Sequence, residues 1–94
     1  MSAHRKKVLK LPARLDTAAA GKLKRHLVSR RGSDLSIDAG AVVMLGTMCA
    51  EVLLSAAQLW RQEGRALTVA SPSVSFSESL RLLGIASDLL PAKD

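Results

Sequence analysis

The chain of 94 residues is long enough for one small domain, and its hydrophobic fraction of 48% argues against a disordered protein. Its single cysteine rules out an intramolecular disulfide and a zinc framework, and with one Trp, one Phe and no Tyr it lacks aromatic platforms for single-stranded nucleic acid. The formal net charge of +6 favours an anionic partner, but charge alone does not identify that partner.

The first predicted elements are a basic segment and two short strands. Residues 1–7 form a polar, basic lead-in with no continuous apolar run after it, so we expect no secretory signal and a cytoplasmic protein. Residues 8–11 are predicted to form a strand that ends before Pro12, because proline cannot donate to a sheet ladder. Arg14-Leu15 is predicted as a second short extended piece.

Residues 17–30 are predicted to form the first helix, because they are rich in Ala, Leu and Lys. Asp16 offers the carboxylate expected of an N-cap residue, and Gly32 suits the end of the helix. The apolar residues recur at helical spacing, which defines one buried stripe. This stripe is expected to contain Ala19, Ala20, Leu23 and Leu27.

The longest predicted helix covers residues 47–62. It follows a strand predicted over residues 35–38, a small-residue loop over 39–41 and an apolar approach over 42–45. The apolar residues of the helix recur at intervals of three and four, which indicates one continuous buried face. That face is expected to contain Cys49, Val52, Leu53, Ala56, Leu59 and Trp60, with Ala50, Leu54 and Ala57 at its edge.

The last predicted elements are a strand over residues 66–70 and a short third helix. Ser75 and Glu78 do not quite form a capping box, although they have its three-residue spacing, and Gly84 is expected to end the helix. Residues 85–90 then form a last apolar turn. The residues of this helix that are expected to point inward are Phe76, Leu80 and Leu83.

The alternation of strands and helices decides the predicted fold class. Three strand–helix repeats predict an α/β fold whose crossovers make the sheet mostly parallel. We expect a single domain over residues 8–90, preceded by the basic lead-in and followed by a tail over residues 91–94.

No group of residues has the pattern of a catalytic or metal site. His4 lies in the basic lead-in and His26 on a cationic helix, and neither is near Cys49 in the sequence. A lone cysteine in an apolar helical stripe is usually a core residue. The chain has no phosphate-binding glycine loop, and Asp34 and Asp38 form no convincing metal set. We therefore predict a protein that is not an enzyme and that binds no cofactor or metal.

Basic residues are concentrated in the lead-in and the first helix. A solvated helix face with a basic tail is the favoured interpretation, and a surface for an acidic protein partner is the sharper alternative. Nucleic-acid binding is not expected, because no nucleic-acid motif accompanies the charge. The basic residues that could form one patch are His4, Arg5, Lys6, Lys7, Lys22, Lys24, Arg25, Arg30 and Arg31.

The junction before the longest helix is the candidate site. Gly46 permits close backbone approach by a partner, and Thr47 is expected to cap the helix, which is favoured over its alternative use as a phosphoacceptor. Met48 and Leu54 either pack inside or stand exposed as adaptable contact residues. We therefore expect the protein to act through the surface around residues 46–48.

The order of these motifs makes the chain resemble the STAS domain family, the anti-sigma-factor antagonists of bacteria and their relatives. The resemblance extends from about residue 8 to residue 90, and four motifs carry it. These motifs are Leu15-Asp16 before an Ala-rich helix, Leu35-Ser36-Ile37-Asp38 before a small-residue loop, a strand ending in the Ser-Pro turn at Ser71-Pro72, and Leu82-Leu83-Gly84-Ile85.

The resemblance implies a STAS-type α/β fold, with a four- to five-stranded, mostly parallel sheet and helices mainly on one side. It also implies a non-enzymatic module that docks on a protein kinase or an anti-sigma partner. In phosphorylated members the loop before the second helix reads Asp-Ser-Ser-Gly, and phosphorylation of its second serine breaks the complex. Residues 46–49 match these positions, so Met48 replaces the phosphoacceptor and Thr47 is a hydroxyl one place early.

The Leu45-Gly46-x-x-Cys49 form of this loop, followed by Leu-Leu-Ser-Ala, resembles a STAS subgroup found with bacterial chemotaxis and phosphorelay genes. Such members are implied to bind the chemotaxis histidine kinase, and we predict an adaptor in chemotaxis or two-component signalling. Its predicted partner-binding residues are Gly46, Thr47, Met48, Ala50 and Leu54.

Several alternatives remain open. The chain could be an anti-sigma-factor antagonist phosphorylated at Thr47, or the STAS subunit of a lipid-transport ATPase complex. A basic nucleic-acid binder is a further alternative from another class of protein. A homodimer is also open, because the short N-terminal segment could leave a sheet edge unpaired.

Overall fold

The computed structural model describes residues 7–85 and the backbone of residues 92–93. The predicted lead-in before Lys7, the predicted last apolar turn after Ile85 and most of the predicted tail lie outside these residues. The elements in chain order are β1 (Lys7–Lys10), β2 (Arg14–Leu15), α1 (Ala20–Val28), β3 (Leu35–Asp38), β4 (Met44–Leu45), α2 (Thr47–Gln62), β5 (Leu67–Ala70), α3 (Val74–Leu82) and β6 (Ala92–Lys93).

The main sheet contains four parallel strands in the order β1-β3-β5-β6. Leu9 lies in register with Ile37, and Ile37 with Val69, so alternate residues of the three strands share one face. The short strands β2 and β4 form a separate parallel pair. These pairings confirm the predicted α/β class and the mostly parallel sheet.

The core lies between one face of the main sheet and the inward sides of the helices. Leu9, Ile37 and Val69 belong to the same buried cluster as Trp60 of α2 and Phe76 of α3. The indole Nε1–H of Trp60 donates to the Ser33 carbonyl at 2.8 Å, so the only polar atom of this side chain has a partner. The core thus joins the end of α2 to the loop before β3.

The start of α1 differs from its prediction in one respect. Asp16 is the expected N-cap residue, and its carboxylate accepts a hydrogen bond from the Ala19 amide at 3.2 Å. It caps a 3-10 turn over Thr17–Ala19, and the regular helix begins only at Ala20 and ends at Val28. The predicted range of 17–30 was therefore too long for the regular helix, because its first and last turns are tighter.

The N-cap of α3 lies two residues before Ser75, whose spacing from Glu78 suggested a capping box. Ser73 is the N-cap residue, and its hydroxyl accepts a hydrogen bond from the Phe76 amide at 3.0 Å. Ser75 already lies inside the helix, so it cannot form a capping box with Glu78. Leu83 was expected to point inward, but 39% of it is exposed because the helix ends at Leu82.

The loop before α2 is fixed by hydrogen bonds to the end of β5 and the start of α3. Ala39 donates its amide to the Ala70 carbonyl at 3.2 Å, and Ser73 donates its amide to the Ala39 carbonyl at the same distance. The Ser73 hydroxyl also donates to the Val42 carbonyl at 2.6 Å. The segment that sequence patterns described only as an apolar approach is therefore an ordered connection, and its end pairs as β4.

Candidate functional site

The candidate site begins where β4 passes into α2. The Gly46 amide donates to the Leu15 carbonyl at 2.9 Å, so this junction lies directly against the end of β2. A Cβ atom at Gly46 would lie 3.3 Å from the same carbonyl oxygen. The close backbone approach expected here is thus made within the chain, and Gly46 is needed for internal packing whether or not a partner also contacts it.

The N-terminus of α2 has no side-chain cap. Gly46 occupies the N-cap position with an extended backbone, at φ −87° and ψ 168°, and a glycine offers no side-chain acceptor. Thr47 was expected to cap the helix, but it is already the first helical residue and makes no capping hydrogen bond. Its side chain is exposed, so its hydroxyl is presented at the surface beside the free amides of the first turn.

The predicted contact residues separate into exposed and buried ones. Thr47 and Met48 are exposed, and 49% of Met48 is accessible to water. Ala50 is only 1% exposed and belongs to the core, so it is not a surface contact residue in this structure. Leu54 is partly buried and packs against the core. Thr47 and Met48 are therefore available to a partner at the start of α2, whereas Ala50 is not and Leu54 is only partly exposed.

Met48 stands at one end of a groove between α1 and α2, which we call the α1–α2 groove. It has a volume of about 270 Å³ and extends along α2 from Met48 to Trp60. Val28, an exposed residue near the end of α1, lines the opposite wall, and the partly buried Val52 and Leu59 line the α2 side. The groove is therefore an apolar depression whose rim already includes a predicted contact residue.

Sequence reasoning missed Val28 as part of this site. The valine lies outside the buried stripe of α1, so the helical pattern alone places it on the solvated surface. Its spacing of four residues from Lys24 was the available signal, because residues at that spacing share one face of a helix. Only the position of α2 shows that this face borders an apolar groove.

Charges of both signs line the α1–α2 groove. Lys24 of α1 and Glu51 of α2 both line it, so one charge of each sign stands at its walls. The exposed surface of α1 continues with Lys22, Arg25 and His26. Beyond the helix, Arg31 forms an ion pair with Glu63 after the end of α2, which links the two helices at that end. An exposed pair of this kind contributes about 0–1 kcal/mol.

Cys49 lies in the first turn of α2 but has the properties of a core residue. It is fully buried, and its thiol donates to the Asp16 carbonyl at 3.3 Å. Burial raises the pKa of this thiol, and the charge of the Asp16 carboxylate raises it further. The thiol is therefore protonated near neutral pH, and it is not an activated nucleophile.

The described residues offer no assembly of groups for metal chemistry. Within residues 7–85, no cluster of three or more His, Cys, Asp or Glu side chains is placed to hold a metal ion. His26 lies on the exposed surface of α1, whereas Cys49 is enclosed in the core at the start of α2. What the site offers chemically is an apolar surface, a free hydroxyl and uncapped backbone amides.

The basic patch predicted from the sequence can be located only in part. Lys22, Lys24 and Arg25 are exposed on α1, whereas residues 4–6 lie outside the described part of the chain. Arg30 donates through Nη1 to the His26 carbonyl at 2.9 Å, which fixes it at the end of the helix. None of the described helices is both long enough and apolar enough to cross a membrane.

Comparison with known proteins identified one matching family. A family model described as "Mlab, STAS domain" matches residues 2–91, which is almost the whole chain. No curated protein matches the sequence.

Proposed function

We propose a function from the premise that this chain belongs to the STAS domain family, since the family model covers residues 2–91. STAS domains are generally regulatory modules without catalytic activity, similar to anti-sigma-factor antagonists, and they act by binding protein partners. On this basis the protein is a cytoplasmic, non-enzymatic adaptor that docks on a signalling protein. The docking surface consists of Thr47, Met48 and the α1–α2 groove.

The observation that carries this proposal is the exposure of Met48 at the end of an apolar groove. Fully burying a Met or Val side chain contributes about 1.5–3 kcal/mol, and half of that remains available where half the side chain is exposed. Met48 and Val28 are exposed by 49% and 52%, so a partner that covers both gains about 1.5–3 kcal/mol from these residues. Methionine is also adaptable in shape, which suits a contact residue.

The proposed partner is a chemotaxis histidine kinase. This proposal rests on the resemblance of the Leu45-Gly46-x-x-Cys49 loop to a STAS subgroup found with chemotaxis genes. Leu45 and Cys49 are buried and Gly46 contacts Leu15, so these three residues form the frame of the loop. The two positions between them, Thr47 and Met48, are the exposed ones that a kinase would contact.

The adaptor is proposed to dock without a phosphoswitch of its own. The position that receives phosphate in regulated relatives is occupied by Met48, which has no hydroxyl. Binding is then controlled by the partner or by the amount of adaptor. A partner-switching mechanism would require another acceptor in the same turn.

The second candidate function uses Thr47 as that acceptor. Its side chain is exposed, and it makes no capping hydrogen bond that would occupy the hydroxyl. Phosphorylation would add about −1.5 to −2 charges beside the uncapped amides of α2, which the helix end accommodates. An anti-sigma-factor antagonist of this type gains mass on incubation with an anti-sigma kinase and ATP. An unchanged intact mass would rule out this function.

The leading proposal is tested by calorimetric titration of the full chain into the chemotaxis histidine kinase. Met48→Asp together with Val28→Asp is expected to weaken binding at least tenfold, because charged groups then face an apolar partner surface. Val74→Asp is the matched control, because Val74 is 85% exposed on α3 and lies outside the groove. Leu54 is unsuitable as a probe, since it packs against the core.

The outcomes distinguish an error in the proposed surface from an error in the proposed partner. Equal binding by the double variant and the wild type would show that the proposed surface is wrong. Absence of binding by the wild type would show that the partner is wrong. Co-purification of the chain with a lipid-transport ATPase would then favour the third candidate, a STAS subunit of such a complex.

A further inference from the structure

A second groove lies on the other side of α1, between this helix and the β1 edge of the main sheet. We call it the β1–α1 groove. It has a volume of about 470 Å³, and its floor is apolar, formed by the buried side chains of Leu9, Leu11 and Leu23. It uses different residues of α1 from the α1–α2 groove, so it is a separate surface.

The wall of this groove is cationic. Lys10 of β1 and Lys22 of α1 line it, together with His26, and none of its ten described lining residues is acidic. Asp38 lies in register with Lys10 on the neighbouring strand, but it is not among the residues that line the groove. A ligand that enters the groove therefore meets a positive rim above an apolar floor.

The strand beside the groove has an unpaired edge. β1 is the outermost strand of the sheet and pairs only with β3 among the described residues. The Leu11 amide donates to the Asp38 carbonyl of β3. Along a parallel strand, every second residue directs its amide and carbonyl to the same neighbouring strand, so Leu9 shares this direction with Leu11. The peptide groups of Val8 and Lys10 consequently point away from β3, where an added strand would find them.

We propose that this edge accepts an extended acidic segment of a partner protein as an additional strand. Backbone hydrogen bonds to Val8 and Lys10 would hold the segment, as in known strand-addition complexes. Its carboxylates would lie near Lys10 and Lys22, and its apolar side chains would enter the groove. The partner class is thus a protein with an exposed segment that alternates acidic and apolar residues.

Charge also argues against a second copy of this chain as the occupant. Lysines on an edge strand discourage pairing of like strands, and β1 carries Lys7 and Lys10 on either side of Val8 and Leu9. Two copies of β1 would bring four ammonium groups together, in a chain whose net charge is +6. An acidic strand removes this repulsion.

The test uses the full chain labelled with ¹⁵N and a pool of short synthetic peptides that alternate Glu with Val or Ile. Binding is expected to shift the amide signals of Val8 and Lys10 and to slow their exchange with solvent. No shift at up to about 1 mM peptide, the weak end of measurable affinity, would overturn the proposal.

Charge reversal provides the specificity control. Lys10→Glu with Lys22→Glu is expected to weaken peptide binding about tenfold, because each change replaces attraction by repulsion at the rim. Lys24→Glu with Arg25→Glu makes the same two charge reversals on α1, but neither residue lines the β1–α1 groove, so this variant should bind like the wild type. Equal loss in both variants would show nonspecific charge attraction and contradict the proposal.

Two further probes distinguish strand addition from other modes of binding. Peptides methylated on every backbone nitrogen have no amide hydrogen to donate and cannot form a strand ladder, so they should not bind. Equal binding by these peptides, or binding of oleate or anionic vesicles in place of the acidic peptides, would overturn the proposal. Dimerisation of the wild type that Lys10→Glu abolishes would overturn it as well.

Discussion

The helices α2 and α3 both begin at an extended residue after a strand, yet the two starts are fixed in different ways. At α3, Ser73 accepts a hydrogen bond from the Phe76 amide and donates one to the Val42 carbonyl. At α2, Gly46 has no side-chain cap and instead lies against the Leu15 carbonyl. One start is thus fixed by a side chain, and the other by close backbone packing.

This difference explains where a partner can bind. The capping hydroxyl of Ser73 is used twice within the protein, so the start of α3 is satisfied internally. The start of α2 leaves its first amides without a side-chain cap and the Thr47 side chain exposed, beside the exposed Met48. The contact of Gly46 with the Leu15 carbonyl fixes the position of these groups and leaves them free to form hydrogen bonds with a partner. Substitutions at the two helix starts test this contrast.

The largest effect is expected from Gly46→Ala. The new methyl group would lie 3.3 Å from the Leu15 carbonyl oxygen, and moving that oxygen away would stretch its hydrogen bond with the Gly46 amide. Overpacking of this kind typically costs about 1–3 kcal/mol, and we expect a loss of that size in urea unfolding. Gly21→Ala is the control, because its Cβ would meet only the Arg25 side chain at 3.7 Å. We expect it to stabilise the protein by about 0.5–1 kcal/mol.

Ser73→Ala is expected to have the next largest effect. It removes the cap of α3 and the hydrogen bond to the Val42 carbonyl, and loss of a serine cap typically costs about 1 kcal/mol. The additional bond brings the expected loss to about 1–2 kcal/mol, measured by thermal unfolding. Ser77→Ala on the exposed surface of the same helix is the control. Equal stability of both variants would show that the cap of α3 contributes nothing.

Thr47→Asp tests the open start of α2 directly. The first turn of this helix contains no acidic residue, so a carboxylate there meets uncapped amides and the positive end of the helix dipole. We expect a gain of about 0.3–1 kcal/mol that declines as salt is added. Gln58→Asp, at an exposed position far from the start of α2, should show no gain. A similar gain at both positions would indicate a general charge effect in this basic protein.

The smallest effect concerns the pH dependence of Cys49. Its pKa is raised by burial and by the Asp16 carboxylate, so the folded protein favours the neutral thiol more than the unfolded chain does. This contribution is fully present below the ordinary thiol pKa of 9.0, and it is lost as the pH rises through the folded value. Unfolding measured between neutral and alkaline pH should therefore show a steeper loss for the wild type than for Cys49→Ala. Parallel curves would contradict the assignment.

Both ends of α2 could be predicted to the residue from the sequence, whereas the contacts around this helix could not. Its apolar face repeats over sixteen residues from Thr47 to Gln62, and such a long periodic pattern decides a helix by itself. The cap of α3 was misplaced because the choice of Ser73 over Ser75 depends on the Val42 carbonyl, thirty-one residues away. Local spacing contains no information on that contact.

In the candidate site too, local spacing predicted some features, whereas others depend on contacts between residues that are distant in the sequence. The helical pattern left open whether Met48 packs inside or stands exposed, and in the structure it is exposed. Ala50 was predicted as a contact residue but is buried, because the edge of a helical stripe depends on what packs beside it. Val28 was missed for the same reason. The role of Gly46 was also invisible, since the Leu15 carbonyl that demands a glycine belongs to a different part of the sequence.

The register of the main sheet has a consequence for how the chain folds. Lys7 pairs with Leu35, and Leu35 pairs with Leu67, so each strand must close a loop of about thirty residues before it gains a partner. Contacts this distant slow folding, and we expect a rate between those of helical bundles and β-sandwiches of similar length. During synthesis, β1 remains without a partner until β3 has left the ribosome, so α1 is the first element that can form.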